Sequence, residues 1–488
     1  MTSFEEYESM FVGGHWIAPT TSRRMRIESA STKALLATVP TASEEDVDRA
    51  VQAARTAVNK PGGWADWEPN RRAAVLVRLA EILERKGEQT ATYVSAQNGM
   101  PISLSRQFEA TLPAAALRYY ASLVEEIPRE ELRPGIPFGS TLVRRNPVGV
   151  VAAIVPWNLP QILSMFKLAP ALAVGCAVVL KPAPETVLDA YVLAQSVEEA
   201  GFPSGVVSII PGDDETGSYL VSHPGVDKVS FTGSTAVGRR IAADCGQLLR
   251  PVTLELGGKS AAIILDDADL SGKAEQMFAA SFINNGQTCF ASTRILAPRS
   301  RYREIVDFYA AMADTAHVGD ALEPSTQIGP LVSSGQRERV ESYIEQGLRD
   351  GALLAAGGGR PKGLDEGWFV EPTIFYDVDN STRIAQEEIF GPVLSIIPYS
   401  DDEDAIRLAN ASVYGLGGTV WSTDLSRALE ISGKVKTGTI GINGYVPDMG
   451  APFGGLKASG LGRELGPEGL QSYEYLQSVY QPDAQFGR

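Results

Sequence analysis

"VGVVAAIVP", residues 148–156, is an unbroken apolar run of strand length, and the chain beyond it keeps repeating one alternation. "ILSMFKLAPALAVG" (162–175) has helical spacing, "CAVVLKP" (176–182) reads as strand, and "VLDAYVLAQSVEEA" (187–200) as helix. "GVVSIIPG" (205–212), "TGSYLVSH" (216–223), "VDKVSFTG" (226–233) and "STAVGRRIAADCG" (234–246) continue the series, followed by "VTLELGGKSAAIIL" (252–265). Strands with no polar alternation are buried on both faces, and helical crossovers make neighbouring strands parallel. The pattern predicts a doubly wound α/β sheet, which binds ligands beyond the carboxyl ends of its strands.

A second alternating region spans about 257–460, with "RILAP" (294–298), "EPTIFYDV" (371–378), "GPVLSIIPY" (391–399), "GTVWST" (418–423) and "GTIGIN" (438–443) as strands. It predicts a second α/β domain. The front of the chain reads as mostly helical, over 43–57 (Ser43 as N-cap), 70–97 and 104–124. "STLVRRNP" (140–147) and "YLQSVYQ" (475–481) alternate polar and apolar residues like edge strands.

A chain of 488 residues is long enough for two or three domains. Its net charge of −16 argues against a nucleic-acid binder. The start, "MTSFEEYESM", lacks the basic and apolar regions of a signal peptide. The longest apolar run, Leu168 to Leu180, is too short to span a bilayer. Three cysteines without CxxC spacing, and three histidines, predict a reducing cytosol and no metal site.

Several polar residues stand where these apolar elements end. Cys289, in "NNGQTCFASTR" (284–294), is either a packing residue or a nucleophile on a polar turn. Asn158 closes "IVPWN" (154–158), where its amide is either turn chemistry or an oxyanion donor. Glu255 in "TLELGGK" (253–259) is a carboxylate inside an apolar strand, either ion-paired or functional. Lys181 ends a strand and could hold a ribose hydroxyl or a phosphate. Gly233 and Ser234 open a helix whose free N–H groups suit a pyrophosphate. "EEIFGPV" (387–393) again sets acids before an apolar strand.

In order and spacing, "PWN" (156–158), "KPAPET" (181–186), "FTGSTAVG" (231–238), "LELGGKS" (254–260), "GQTC" (286–289), "EEIFGPV", "YGL" (414–416) and "PFGGLKASGLGRELG" (452–466) resemble the aldehyde dehydrogenase superfamily over essentially the whole chain. The resemblance implies two doubly wound α/β domains, Rossmann-like and catalytic, plus a small β oligomerisation flap. It assigns 1–127 and 147–256 to the coenzyme, 257–460 to catalysis, and 128–146 and 461–488 to assembly as a homodimer or homotetramer.

The same resemblance makes Cys289 the nucleophile, Asn158 the oxyanion donor and Glu255 the base for the hydrolytic water, with Lys167 and Glu464 as proton-relay partners. Ile154, Pro156, Trp157, Lys181, Gly233, Ser234, Leu256, Glu388 and Phe390 would bind the coenzyme. That coenzyme is expected to be NAD. Pro184, where many NAD-dependent members carry a ribose-binding glutamate, leaves NADP open. Leu159, Leu163, Phe166, Thr288, Phe290 and Phe453 would line a substrate tunnel, and their character favours an apolar aldehyde over a semialdehyde acid. The competing readings are a CoA-acylating dehydrogenase, disfavoured by Glu255, and a non-catalytic binding protein, disfavoured by Cys289 and Glu255 together.

Overall fold

The computed structural model describes residues 4–136 and 139–481. Five parallel strands form the centre of an eight-stranded sheet, in the spatial order Val252–Glu255, Lys228–Thr232, Val150–Ile154, Ala177–Lys181, Val207–Ile209. The chain enters at Val150–Ile154, winds outward one way through the next two strands, then returns to wind the other way. The reversal lies between Ile154 and Thr232, where the crossovers diverge and leave a crevice.

Burial on both faces explains the apolar run. Val151 and Ala153 join one core, while Val150, Ala152 and Ile154 join the other. The same holds for Ala261 and Ile263 against Ala262 and Ile264 in a seven-stranded sheet. Six of its strands run parallel: Thr373–Tyr376, Val393–Tyr399, Arg294–Pro298, Ala261–Ile264, Gly418–Trp421 and Gly441–Ile442. "VTLELGGKSAAIIL" therefore contributes one strand to each sheet, with Gly257 and Gly258 in the link between them.

The front of the chain departs from the helical expectation. Met10–Val12 and His15–Ile17 form an antiparallel hairpin that extends the eight-stranded sheet. Its turn is Gly13-Gly14, both at positive φ (60° and 88°), a turn signal that the helical reading passed over. Arg24–Glu28, Leu35–Pro40 and Glu5–Glu6 make a separate three-stranded sheet. The helix predicted at 43–57 is Glu44–Asn59, with a capping box between Ser43 and Asp46. The 70–97 stretch divides into Pro69–Arg85 and Gly87–Asn98, and 104–124 into Ile102–Phe108 and Leu112–Glu126. Pro113 causes the second break: it cannot donate within a helix but fits the first turn of a new one.

Ser140–Pro147 pairs antiparallel with Glu474–Gln481 and with Glu130–Pro134 in a three-stranded sheet. Of the assembly segment expected at 461–488, Leu461 pairs instead with Leu254 at the edge of the large sheet, and 482–488 lie outside the described residues. Among the described residues, no helix is long and apolar enough to cross a membrane.

Candidate active site

Cys289 follows three consecutive residues in left-handed conformation: Asn284 (φ 51°), Asn285 (φ 60°) and Gly286 (φ 73°). Asparagine tolerates this region better than other side chains, and glycine enters it freely. Gly286 is also required by contact, since a Cβ there would lie 2.2 Å from the Gly391 carbonyl oxygen.

The turn is pinned from all sides. Asn285 Nδ2 donates to Gly99 O (2.8 Å) and Pro330 O (2.9 Å), and Gly329 N–H donates to Asn285 Oδ1 (2.7 Å). Asn284 Nδ2 donates to Asn158 O at 2.9 Å, and Asn98 Nδ2 to the same oxygen at 3.1 Å. Asn158 Nδ2 in turn donates to Gln287 O at 2.9 Å. Cys289 and Asn158, from different sheets, are thus held in one hydrogen-bonded frame.

Two cavities meet at this frame. The first, ≈ 430 Å³, lies at the crevice where the large sheet reverses its winding. Pro156, Trp157, Gly233, Ser234, Leu256, Glu388 and Phe390, the residues the resemblance assigns to the coenzyme, line it. Helix Thr235–Gln247 opens into it, with Ser234 Oγ accepting from Val237 N–H. Glu388 accepts from Gly258 N–H at 3.0 Å, and a Cβ on Gly257 would lie 2.4 Å from the Glu388 carboxylate. Phe390 holds φ +63°, costly for an aromatic residue, with Gln336 Nε2 donating to its carbonyl at 2.7 Å. Its ring meets Trp157 edge-on, centroids 5.2 Å apart. Ile154 and Lys181 do not line this cavity. They are register partners at adjacent strand ends, both buried.

The second cavity, ≈ 520 Å³, is walled mainly by apolar side chains. Leu159, Leu163, Phe166, Phe290 and Phe453, which the resemblance assigns to a substrate tunnel, line it, and Tyr445 stacks on Phe290 at 4.7 Å. Thr288 does not: it is buried, its hydroxyl donating to Ile283 O at 3.4 Å, so its assignment to the tunnel is corrected.

Leu163, Thr232, Glu255 and Cys289 line both cavities. Cys289 is half-buried, whereas Cys176 and Cys245 are fully buried. Burial pushes the Cys289 thiol well above its ordinary range, and the Glu388 and Glu255 carboxylates add repulsion. Neither carboxylate oxygen of Glu255 has a hydrogen-bond partner among the described residues. Burial raises Glu255 well above the usual carboxylate range. Glu464 pushes it further, while Lys167 and Arg463 oppose the shift.

Lys167 Nζ donates to Glu464 Oε1 (2.5 Å) and Thr232 Oγ1 (2.7 Å). The pair expected to hydrogen-bond in relay with Glu255 is closed on itself and acts on that carboxyl through space. Glu464 lines the apolar cavity; Lys167 lies behind it.

Sequence reading missed Gln336, Arg339 and Tyr414, which line the first cavity, and Tyr445 in the second. Gln336 and Arg339 lie on helix Ser334–Arg349, whose polar face gives no signal of a ligand. Tyr414 belongs to the "YGL" stretch, which was quoted for the resemblance and given no role at the site.

A profile of the aldehyde dehydrogenase family matches residues 16–479. The chain is 56% identical to geranial dehydrogenase of Castellaniella defragrans, covering 97% of this chain and 99% of that one. It is 40% identical to phenylacetaldehyde dehydrogenase of Pseudomonas fluorescens over 96% and 95% of the two chains. A crystal structure of Mycobacterium tuberculosis aldehyde dehydrogenase complexed with NAD+ superposes with a TM-score of 0.97 at 47% identity, covering 99% of this chain and 100% of that one. The polar crevice, the apolar cavity and the cysteine between them therefore belong to a member of the aldehyde dehydrogenase family, an oxidoreductase acting on aldehydes.

Proposed function

We propose that this chain oxidises an apolar aldehyde to its carboxylic acid with NAD+, releasing the acid by hydrolysis. The observation that carries this reading is the presence of Cys289 and Glu255 at the junction of the two cavities. A nucleophile there reaches an aldehyde in the apolar cavity on one side and a coenzyme in the crevice on the other.

The crevice fits NAD+ by its donor set. A helix N-terminus capped by Ser234 suits the pyrophosphate, and the Glu388 carboxylate, beside the edge-on Trp157–Phe390 pair, suits a ribose. Lys181 would take the adenosine ribose from the adjacent strand end. NAD+, when bound, supplies the hydride acceptor that converts a thiohemiacetal into a thioester.

Cys289, as thiolate, adds to the aldehyde carbon. The second Nδ2 hydrogen of Asn158 and the Cys289 backbone N–H donate to the oxyanion. Glu255 then takes a proton from the water that attacks the thioester, which returns Cys289 and frees the acid.

Among the described residues that line the apolar cavity there is no arginine to clamp a substrate carboxylate. Geranial and phenylacetaldehyde, named for two relatives, are of the apolar class. The half-exposed sheet of Glu130–Pro134, Ser140–Pro147 and Glu474–Gln481, with Leu132, Tyr475, Leu476 and Tyr480 exposed, supports a homo-oligomer. Three unpaired cysteines suit the cytoplasm. Residues 1–127 and 147–256 would form the coenzyme domain and 257–460 the catalytic one.

The test is a panel of apolar and acidic aldehydes, each with NAD+ or NADP+, with and without CoA, following reduced coenzyme and acid. Apolar aldehydes are expected to give acid without CoA. Turnover that requires CoA would reject the hydrolytic reading.

A further inference from the structure

Between Glu255 and Ala261 the chain crosses from one sheet to the other, and Lys259 and Ser260 in that link line a small cavity with Arg294, Tyr414 and Thr437. Lys259 and Arg294 are each 2% exposed. Among the described residues, the Lys259 ammonium has no hydrogen-bond partner, and neither have the buried hydroxyl oxygens of Ser260 and Thr437. The Arg294 guanidinium donates to the carbonyls of Lys259, Leu408 and Ala409 and to Asn380 Oδ1, all uncharged. One of its N–H groups is left over from those bonds.

Two neighbouring buried cations, neither ion-paired among the described residues, are costly to fold. Burial lowers the Lys259 ammonium from 10.5 to about 7, and Arg294 adds repulsion. Glu388 and Glu387 oppose the shift through space, but Glu388 accepts from Gly258 N–H, and Glu387 from Tyr343 and Arg383. Lys457, held by the Asn410 and Ser412 carbonyls, brings further positive charge toward Arg294.

Size and charge decide what such a cavity accepts. Its volume, ≈ 10 Å³, is about what one water-sized group needs, too little for a phosphate or a carboxylate. The unspent side-chain groups are two cationic donors and two hydroxyls. A water would have to find acceptors for its own hydrogens there, whereas a halide accepts from all four groups.

We propose that this cavity binds one halide anion of chloride size between Lys259 and Arg294, with the Ser260 and Thr437 hydroxyls completing its shell. The anion supplies the charge that the surrounding side chains lack. It also ties the link between the sheets to the Thr437 segment, one residue beyond the Gly258 N–H that holds Glu388.

The experiment uses the full chain and bromide, which scatters anomalously. Crystals grown in sodium bromide are expected to show an anomalous peak in contact with Lys259 Nζ. Melting curves of the wild type, in chloride, bromide or gluconate at equal ionic strength, are expected to lie higher in the two halides and to rise with halide concentration. Lys259→Met is expected to weaken bromide roughly tenfold or more, read from the same titration. A cavity without a bromide peak overturns the proposal, because a neutral amine beside a water would leave it so. Equal melting temperatures in halide and gluconate also overturn it, and a halide effect that persists in folded Lys259→Met would place the anion elsewhere. If that variant fails to fold, the bromide map and the wild-type curves decide.

Discussion

Asn158 Nδ2 lies 2.9 Å from the Gln287 carbonyl, so one amide hydrogen is committed to the loop that carries Cys289. The other is left to face the cavity that the two residues share. An oxyanion donor acts best when its orientation is fixed before the charge develops. Here the loop that carries Cys289 does the fixing.

Asn158→Ala is therefore expected to lower kcat by about 10²–10³, the usual effect of losing one oxyanion donor. Coenzyme affinity, measured by fluorescence, should hold. Asn284→Ala removes the hydrogen bond to the Asn158 carbonyl and is expected to cost less, since Asn98 still donates to that oxygen. Equal losses in the two variants would mean that the frame, and not the amide donor, limits the rate.

Cys289→Ser is expected to abolish turnover with coenzyme binding intact. Alkylation of the native chain should label Cys289 before Cys176 and Cys245, which are fully buried. Glu255→Gln separates the half-reactions: a burst of reduced coenzyme is expected to survive while steady acid production falls by about 10²–10⁴. Rapid mixing at the reduced-coenzyme band distinguishes this from equal loss of burst and turnover, which would make Glu255 the base for Cys289 as well.

Opposite shifts are expected from the two members of the buried ion pair. Glu464 raises the Glu255 carboxyl and Lys167 lowers it. Glu464→Gln should move the acid limb of the pH–rate profile to lower pH, and Lys167→Met should move it higher. Each leaves a buried charge without its partner, for about 3–5 kcal/mol of lost stability in denaturant titrations. A limb that stays fixed in both variants would detach the pair from Glu255.

A separate pH effect should come from Glu109, far from the cysteine loop in sequence. Its carboxylate accepts from Gln161 and Ile162 N–H at the start of helix Pro160–Val174. Burial, with Asp189 nearby, raises its pKa from 4.5 to about 8. The native state then holds a proton that the unfolded chain has lost, so this contribution is complete below 4.5 and disappears as pH rises through about 8. Glu109→Gln is expected to lose less melting temperature between pH 5 and 8.5 than the wild type.

The two sheets were legible because parallel strands buried on both faces leave unbroken apolar runs, as at Val150–Ile154 and Ala261–Ile264. The N-terminal hairpin was not, because three-residue strands such as Met10–Val12 carry too little periodicity to register. At the site, Asn158, Glu255 and Glu388 stood out as polar residues breaking apolar context. Arg339, whose guanidinium donates to the Glu388 carbonyl at 2.5 Å, looks like any other arginine on a solvated helix. The closure of Lys167 on Glu464 is a long-range fact, joining residues 297 positions apart, that no local pattern encodes.

The turn before Cys289 also gives this protein a chemical clock. Asn285-Gly286 is the dipeptide in which a side-chain amide is most easily attacked by the following backbone nitrogen. In the folded chain the Asn285 amide is held at three points and cannot turn toward that nitrogen. Unfolding releases it, and the resulting acid or isoaspartate cannot donate to Gly99 and Pro330 on refolding. Each excursion from the native state thus exposes this amide to a lesion, close to Cys289, that refolding does not undo.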